Sequence, residues 1–427
     1  MMDHGSVFFA DSSATRLGSF DSKTKAGRVS RCASQIDTTR TRSTEELMLE
    51  DYKARVISRA GILLCALCLG EAHAESGVRL FGIVDAGVEV SSAGKGTQTR
   101  VVSGGDAGSR WGIDGTEELG QGLSATFRLV GGFSADDGQM GQGGRLFGRE
   151  AAVGLIKRDA GTLLLGRQPT PVSLTNSFVD AFYWMGSGGL ISLTRSGATA
   201  AQQVIPQVVS ARADNAIKYY SPEEWKSVSF SALVAPGEKS PQLGGTYGAS
   251  ARYLEGPWDV NAAWGRQEGG TGATGHIASY SLGGSYDFRL AKLYLGYTDE
   301  KNSCTTCTGS LARATDSFKA TQSEFRLANV GVRVPIGRFT AIAQAVYVND
   351  RSTYQVDPGN RNTWWFAVGG EYALSRRTIL YGSVGTIENR NGSLYALGSG
   401  GVQQPANSVG TGNPRSTAGN IGIKHIF

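Results

Sequence analysis

Cysteine is nearly absent: there are five in 427 residues. Cys32, Cys65 and Cys68 fall before residue 75, and the rest of the chain keeps only Cys304 and Cys307, in Cys-Thr-Thr-Cys. With no histidine or third cysteine nearby, that pair makes a poor zinc site. No βαβ pattern surrounds it, which argues against a thioredoxin-like centre. The expectation is a local loop disulfide in an exported protein. Histidine is as scarce, at four, and after Ala74 only His276 and His425 remain. Without a G-x-S-x-G elbow and plausible partners, a hydrolase is not expected, and nothing asks for a metal or cofactor. A large charge imbalance is lacking as well. The 42 basic and 37 acidic residues leave a net +5 with no basic stripe, so nucleic acid is not an expected partner. Finally, there is no run of 18 apolar residues after Ala74, hence no membrane helix. The mean hydropathy of −0.19 looks soluble. A β-barrel in a membrane produces the same average, because lipid-facing and lumen-facing residues alternate.

What is abundant is glycine, 60 residues without a G-x-y period, much of it inside strand-like runs. That suits close strand approach and strong curvature. The dominant signal is period-2 alternation over runs of roughly ten residues. Val78, Leu80, Val84, Ala86 and Val88 share one parity; Arg79, Asp85, Gly87 and Glu89 share the other. Leu123, Ala125, Phe127 and Leu129 oppose Ser124, Thr126 and Arg128. About 16 such runs can be marked, from 77–90 to 416–427, with 99–115 and 145–158 among them. Their connections alternate between tight joints (Lys157–Gly161, Glu255–Pro257, Leu374–Arg377) and long polar stretches (Ser91–Gly105, Pro169–Ser210, Asn302–Asp316, Gly392–Thr417). Short on one end and long on the other is the asymmetry of outer-membrane barrels, and an even strand number is what their closure requires. The fold class expected is all-β: a transmembrane antiparallel barrel of about 16 strands.

Both ends of the chain agree. Lys53, Arg55 and Arg59 precede an apolar run from Ala60 to Leu69, followed by Ala72-His73-Ala74. Basic flank, short apolar run and small-residue site describe a secretory signal peptide. Met48 fits its initiator, so residues 1–47 are read as an over-extended start, 48–74 as the signal and 75–427 as the barrel. At the other end Ile421, Ile423, His425 and Phe427 share one strand face, opposite Asn420, Gly422 and Lys424. A last strand that pairs with the first would place the terminal aromatic Phe427 in the interfacial girdle, as a residue for assembly. Between these ends, Pro169–Ser210 is too long for a hairpin loop and carries aromatics, Phe182, Tyr183 and Trp184. Inside a wide barrel it can fold inward and narrow the channel.

Four stretches resemble the general diffusion porins of Gram-negative bacteria, most closely those of the beta-proteobacterial branch. They are Val78–Gly87 (VRLFGIVDAG), Ser109–Gly120 (SRWGIDGTEELG), Arg145–Arg149 with Leu165–Gln168 (RLFGR, LGRQ), and Asn215–Pro222 (NAIKYYSP). The resemblance covers essentially all of 75–427. It implies a 16-stranded barrel in the cell outer membrane, a homotrimer, and a third extracellular loop folded inward as the constriction, where 169–210 falls. It also implies outer-membrane lipid, lipopolysaccharide and the barrel assembly machinery as partners, and small hydrophilic solutes as cargo. In the family a basic cluster on the wall faces the loop, and Arg110, Arg149 and Arg212 match its positions. Parity supports Arg110 and Arg212; Arg149 shares parity with Ala151, Val153 and Leu155, and points inward only if the strand slips phase near Gly148 or Gly154. Within 169–210 the only carboxylate is Asp180 and the only cation Arg195. Three arginines facing so little negative charge imply a passive channel with weak to moderate anion preference. The alternative is a channel specific for one small anion or sugar, for which an aromatic ladder from Trp184, Trp364 and Trp365 would argue.

Overall fold

The structure is a computed structural model and describes residues 77–92, 96–184, 186–195, 211–238, 243–269, 275–303, 320–351, 353–354, 361–391, 393, 395–397 and 415–427. The expected leader and the Cys304–Cys307 pair lie outside the described residues.

Sixteen strands make the wall among the described residues: β1 (Gly77–Ser92), β2 (Arg110–Gly120), β3 (Leu123–Gly132), β4 (Glu150–Lys157), β5 (Gly161–Pro169), β6 (Arg212–Tyr220), β7 (Val228–Ala235), β8 (Leu243–Glu255), β9 (Trp258–Gly269), β10 (His276–Asp287), β11 (Lys292–Asn302), β12 (Ala320–Ile336), β13 (Phe339–Asp350), β14 (Arg361–Ala373), β15 (Thr378–Arg390) and β16 (Arg415–Ile426). Each pairs antiparallel with its neighbours in sequence, and β16 returns to β1, so no edge is left. Closure is sealed at the last residue. Phe427 N donates to Gly82 O and Gly82 N donates to Phe427 O, each at 3.0 Å. The Phe427 ring lies over Gly82, where a side chain would collide with it.

The wall is polar inside and apolar outside. On β10, Leu282 is 56% exposed on the outer face while its neighbour Ser281 is 3% exposed on the inner one. On β1, Val84, Val88 and Val90 are exposed and Asp85, Glu89 and Ser91 are buried. A water-soluble sandwich would reverse this, since exposed contiguous apolar surface is costly in water. In a bilayer the outer belt is solvated by lipid, and the return of β16 to β1 closes the sheet on itself.

One expected strand, 99–115, is two. Residues 97–103 pair with the upper half of β1 and 110–116 with its lower half. Between them, Asp85 pulls the chain inward: its carboxylate accepts from Gly105 N (3.0 Å), Asp106 N (3.0 Å) and Ala107 N (2.7 Å), and from the Tyr381 hydroxyl (2.6 Å). A single lumen-facing carboxylate thus replaces the ladder bonds that the strand gives up there.

The long segment after β5 also turns inward. It opens with helix α1 (Pro171–Phe178), capped by Thr170, whose side chain accepts from Ser173 N at 3.4 Å, with proline at the first turn. From α1 the chain runs along the inner wall from β8 to β15. Glycines form the track it lies on. A side chain at Gly248 would press on Pro171, at Gly283 or Gly296 on Val179, at Gly331 on Ala181, and at Gly369 on Phe182. At its far end, residues 193–195 pair with 395–397. Leu190, Leu193, Trp365, Ile387, Tyr395 and Leu397 there make a small apolar core inside the barrel.

Candidate channel constriction

The inward loop occupies the β8–β15 side of the lumen, so the opposite side, β2 to β6, is left as the bare wall. That is where the three arginines meet. Arg110 opens β2 opposite Ile83 and shares parity with the lumen-facing Asp114. Its Nη1 donates to Gly108 O at 3.3 Å, in the segment that Asp85 draws inward. Arg149 precedes β4, whose pairing with β3 ends at Val130–Glu150. The strand alternation therefore does not govern it, and its guanidinium packs against Gly108. Arg212 sits before a bulge at Asn215 (φ 55°), which interrupts the alternation between it and Ile217. Its position is fixed by contact instead: Arg212 Nε donates to Arg149 O at 2.9 Å. Burial, and then the like charges of Arg110 and Arg212, push the Arg149 guanidinium well below its ordinary value. A guanidinium stays protonated near neutral pH even so. One carboxylate, Glu150, is held beside the cluster, buried and bonded to Arg128 Nε at 3.1 Å.

Asp180 is not brought to these arginines. It is fully buried in the loop on the other side of the lumen. Its carboxylate accepts from Phe182 N (2.9 Å), Trp184 N (3.1 Å), Leu190 N (2.7 Å) and Gln344 Nε2 of β13 (2.9 Å). Burial pushes the carboxyl up, to about 6, and the donors offset only part of that. Asp180 is therefore the pin that folds the loop and ties it to the wall. Two further ties were invisible in the sequence: Asn329 Nδ2 to Val179 O and Arg333 Nη1 to Ala181 O, both 2.8 Å. The only sequence signal for them is lumen parity, which dozens of other polar residues share.

The tryptophans form no ladder. Trp365 is fully buried and donates from Nε1 to Ser187 O at 3.2 Å. Trp364 points to the outer face, against Tyr347 and Phe366. Trp184 packs on the Leu190 core.

A closed sixteen-stranded barrel with an apolar belt, a polar lumen and an inward loop facing a basic wall is a porin-type channel. The chain belongs to the Gram-negative porin family, whose profile matches residues 60–392. It is 30% identical to an outer membrane porin protein of Bordetella pertussis, over 84% of this chain and 96% of that one. Among solved structures it is similar to an anion-selective porin from Comamonas acidovorans, with TM-score 0.68 and 27% identity, covering 83% of this chain and 100% of that one. A trimer form of the outer membrane protein OmpT of Vibrio cholerae shares the fold, with TM-score 0.57 and 14% identity over 82% of this chain and 99% of that one. The protein is thus an outer-membrane porin, a channel for passive diffusion of ions and small hydrophilic solutes. Its relatives are channels rather than enzymes.

Proposed function

We propose that this porin prefers anions and that Arg110, Arg149 and Arg212 set the preference as one jaw of the constriction, with the loop around Asp180 as the other. The observation that carries the reading is the imbalance across the lumen. Three guanidiniums gather on the bare wall, while the loop's carboxylate is buried and turned away. At about 6 Å in water one unit charge favours an anion by ~0.7 kcal/mol, roughly threefold in local concentration. Three such charges, reduced by Glu150 and by salt screening, give a weak to moderate preference. The Comamonas acidovorans relative, an anion-selective porin, supports the same reading. The reading assigns the protein no covalent chemistry, a homotrimeric assembly and an export signal at 48–74. It also assigns contacts with lipopolysaccharide and passage through the barrel assembly machinery.

The test is the reversal potential of the refolded barrel in a planar bilayer under a potassium chloride gradient. Chloride preference with conductance steps in threes is expected, and replacing all three arginines by glutamine should abolish the preference. A wild-type potential favouring potassium would overturn the assignment.

A further inference from the structure

Several cations around the lumen come with a carboxylate. Arg128 is 2.8 Å from Asp114, Arg252 2.7 Å from Asp259, and Arg333 2.7 Å from Glu371. Such pairs add little net field for a passing ion. Lys292 is different. It opens β11 directly opposite Arg333 on β12, and residues directly opposite share a sheet face. Arg333 reaches Ala181 of the constriction loop, so that face is the lumen. Tyr294, two residues along the same face, is buried and shares a hydroxyl–hydroxyl bond of 2.9 Å with Tyr183 of the loop. The Lys292 ammonium stands 5.3 Å from the centre of the Tyr294 ring, which holds it in place by cation–π attraction. Among the described residues no carboxylate lies within ion-pairing distance of it. Asp287, its partner across the turn, instead accepts from Arg289 N at 2.7 Å.

We propose that Lys292 is a second determinant of ion selectivity: an anion station at the short-turn mouth of the lumen, beneath the constriction loop. Lys292 stands on β11, among the loop's own docking strands, while Arg110, Arg149 and Arg212 stand at or just before the starts of β2, β4 and β6, so it adds positive field from a separate stretch of the wall. A charge at one mouth raises the local anion concentration on one side only, and so skews the current–voltage curve as well as the selectivity. The inference rests on the channel reading above.

The experiment compares wild type, K292E, K292Q and K301E as refolded full-length barrels in planar bilayers at 0.1 M and 1 M potassium chloride. Lys301 lies at the other end of β11 on the outer face and serves as the control. K292E should lower the chloride-to-potassium permeability ratio about two- to threefold at 0.1 M and change the current asymmetry, with K292Q between it and wild type. At 1 M, where the screening length is ~3 Å, the difference should vanish. K301E should match wild type. Equal ratios for wild type and both Lys292 variants at 0.1 M would overturn the proposal, as would a difference that persists at 1 M, which would indicate a change of width. A wild type without anion preference would sink the arginine reading and leave this comparison between variants intact.

Discussion

Gly331→Ala should narrow the channel without touching any charge. A methyl group built at Gly331 would sit 2.5 Å from Ala181 Cβ and 2.8 Å from Gln344 Oε1. Carbon–carbon contacts settle at about 3.5–4.0 Å, so the loop must withdraw from the wall by about 1 Å. The strain of such an insertion is roughly 1–3 kcal/mol. Opposing it are the ties on either side: Ala181 N to Gln344 Oε1 at 2.9 Å, Gln344 Nε2 to Asp180, Asn329 to Val179 O and Arg333 to Ala181 O. At ~1 kcal/mol each, more where a charged group takes part, they match or exceed the strain. The loop should therefore shift into the lumen rather than detach. Single-channel conductance should fall by roughly a tenth to a third, with the reversal potential unchanged. Gly419→Ala is the matched control. Its methyl would meet only Ser383 O at 3.4 Å and the Val384 side chain at 3.7 Å, ordinary contacts. Unchanged conductance in Gly331→Ala would refute the close fit. Increased, noisy conductance would show that the ties are weaker than the strain.

Leu282→Arg puts a charge on the lipid face at the middle of β10 and should cost ~2–4 kcal/mol, read as a lower urea midpoint for barrels folded in lipid vesicles; equal stability would mean that this face does not meet lipid. The Asp180 carboxyl, raised by burial from 3.8 to about 6, gives a pH dependence of definite sign. A folded value above the unfolded one means that the stability is fully present below about pH 4, and ~3 kcal/mol is lost as pH rises through 6. Acrylamide quenching of Trp184, taken as the difference from Trp184→Phe, should increase between pH 4.5 and 7.5. Greater protection at the higher pH would contradict this.

The wall was readable because its physics is local. Period-2 alternation and short turns mark strands regardless of what lies across the lumen, and even the split of Trp364 and Trp365 between faces follows from parity alone. The break at 104–109 was not readable. Asp85 has the parity of any lumen residue, and nothing in its neighbours announces that it will bind three amides from another segment. Arg149 and Arg212 lie where alternation fails, one before its strand begins and one beyond a bulge, so their meeting depends on contacts that no spacing encodes. The glycines were visible, but their purpose was not. A glycine that admits a neighbouring strand and one that admits a loop look alike until the loop is seen.

The loop docks on β8–β15 while the arginines stand on β2–β6, and this separates two traits that a filter would otherwise have to change together. Aperture is written in residues 171–195 and in the glycines beneath them. The arginines proposed to set the polarity of the passage stand at or just before the starts of strands on the far side. A substitution in either stretch leaves the other alone. Variants of this scaffold can therefore change aperture through the loop and the glycines beneath it while the arginine wall stays as it is, and change the wall while the loop keeps its ties.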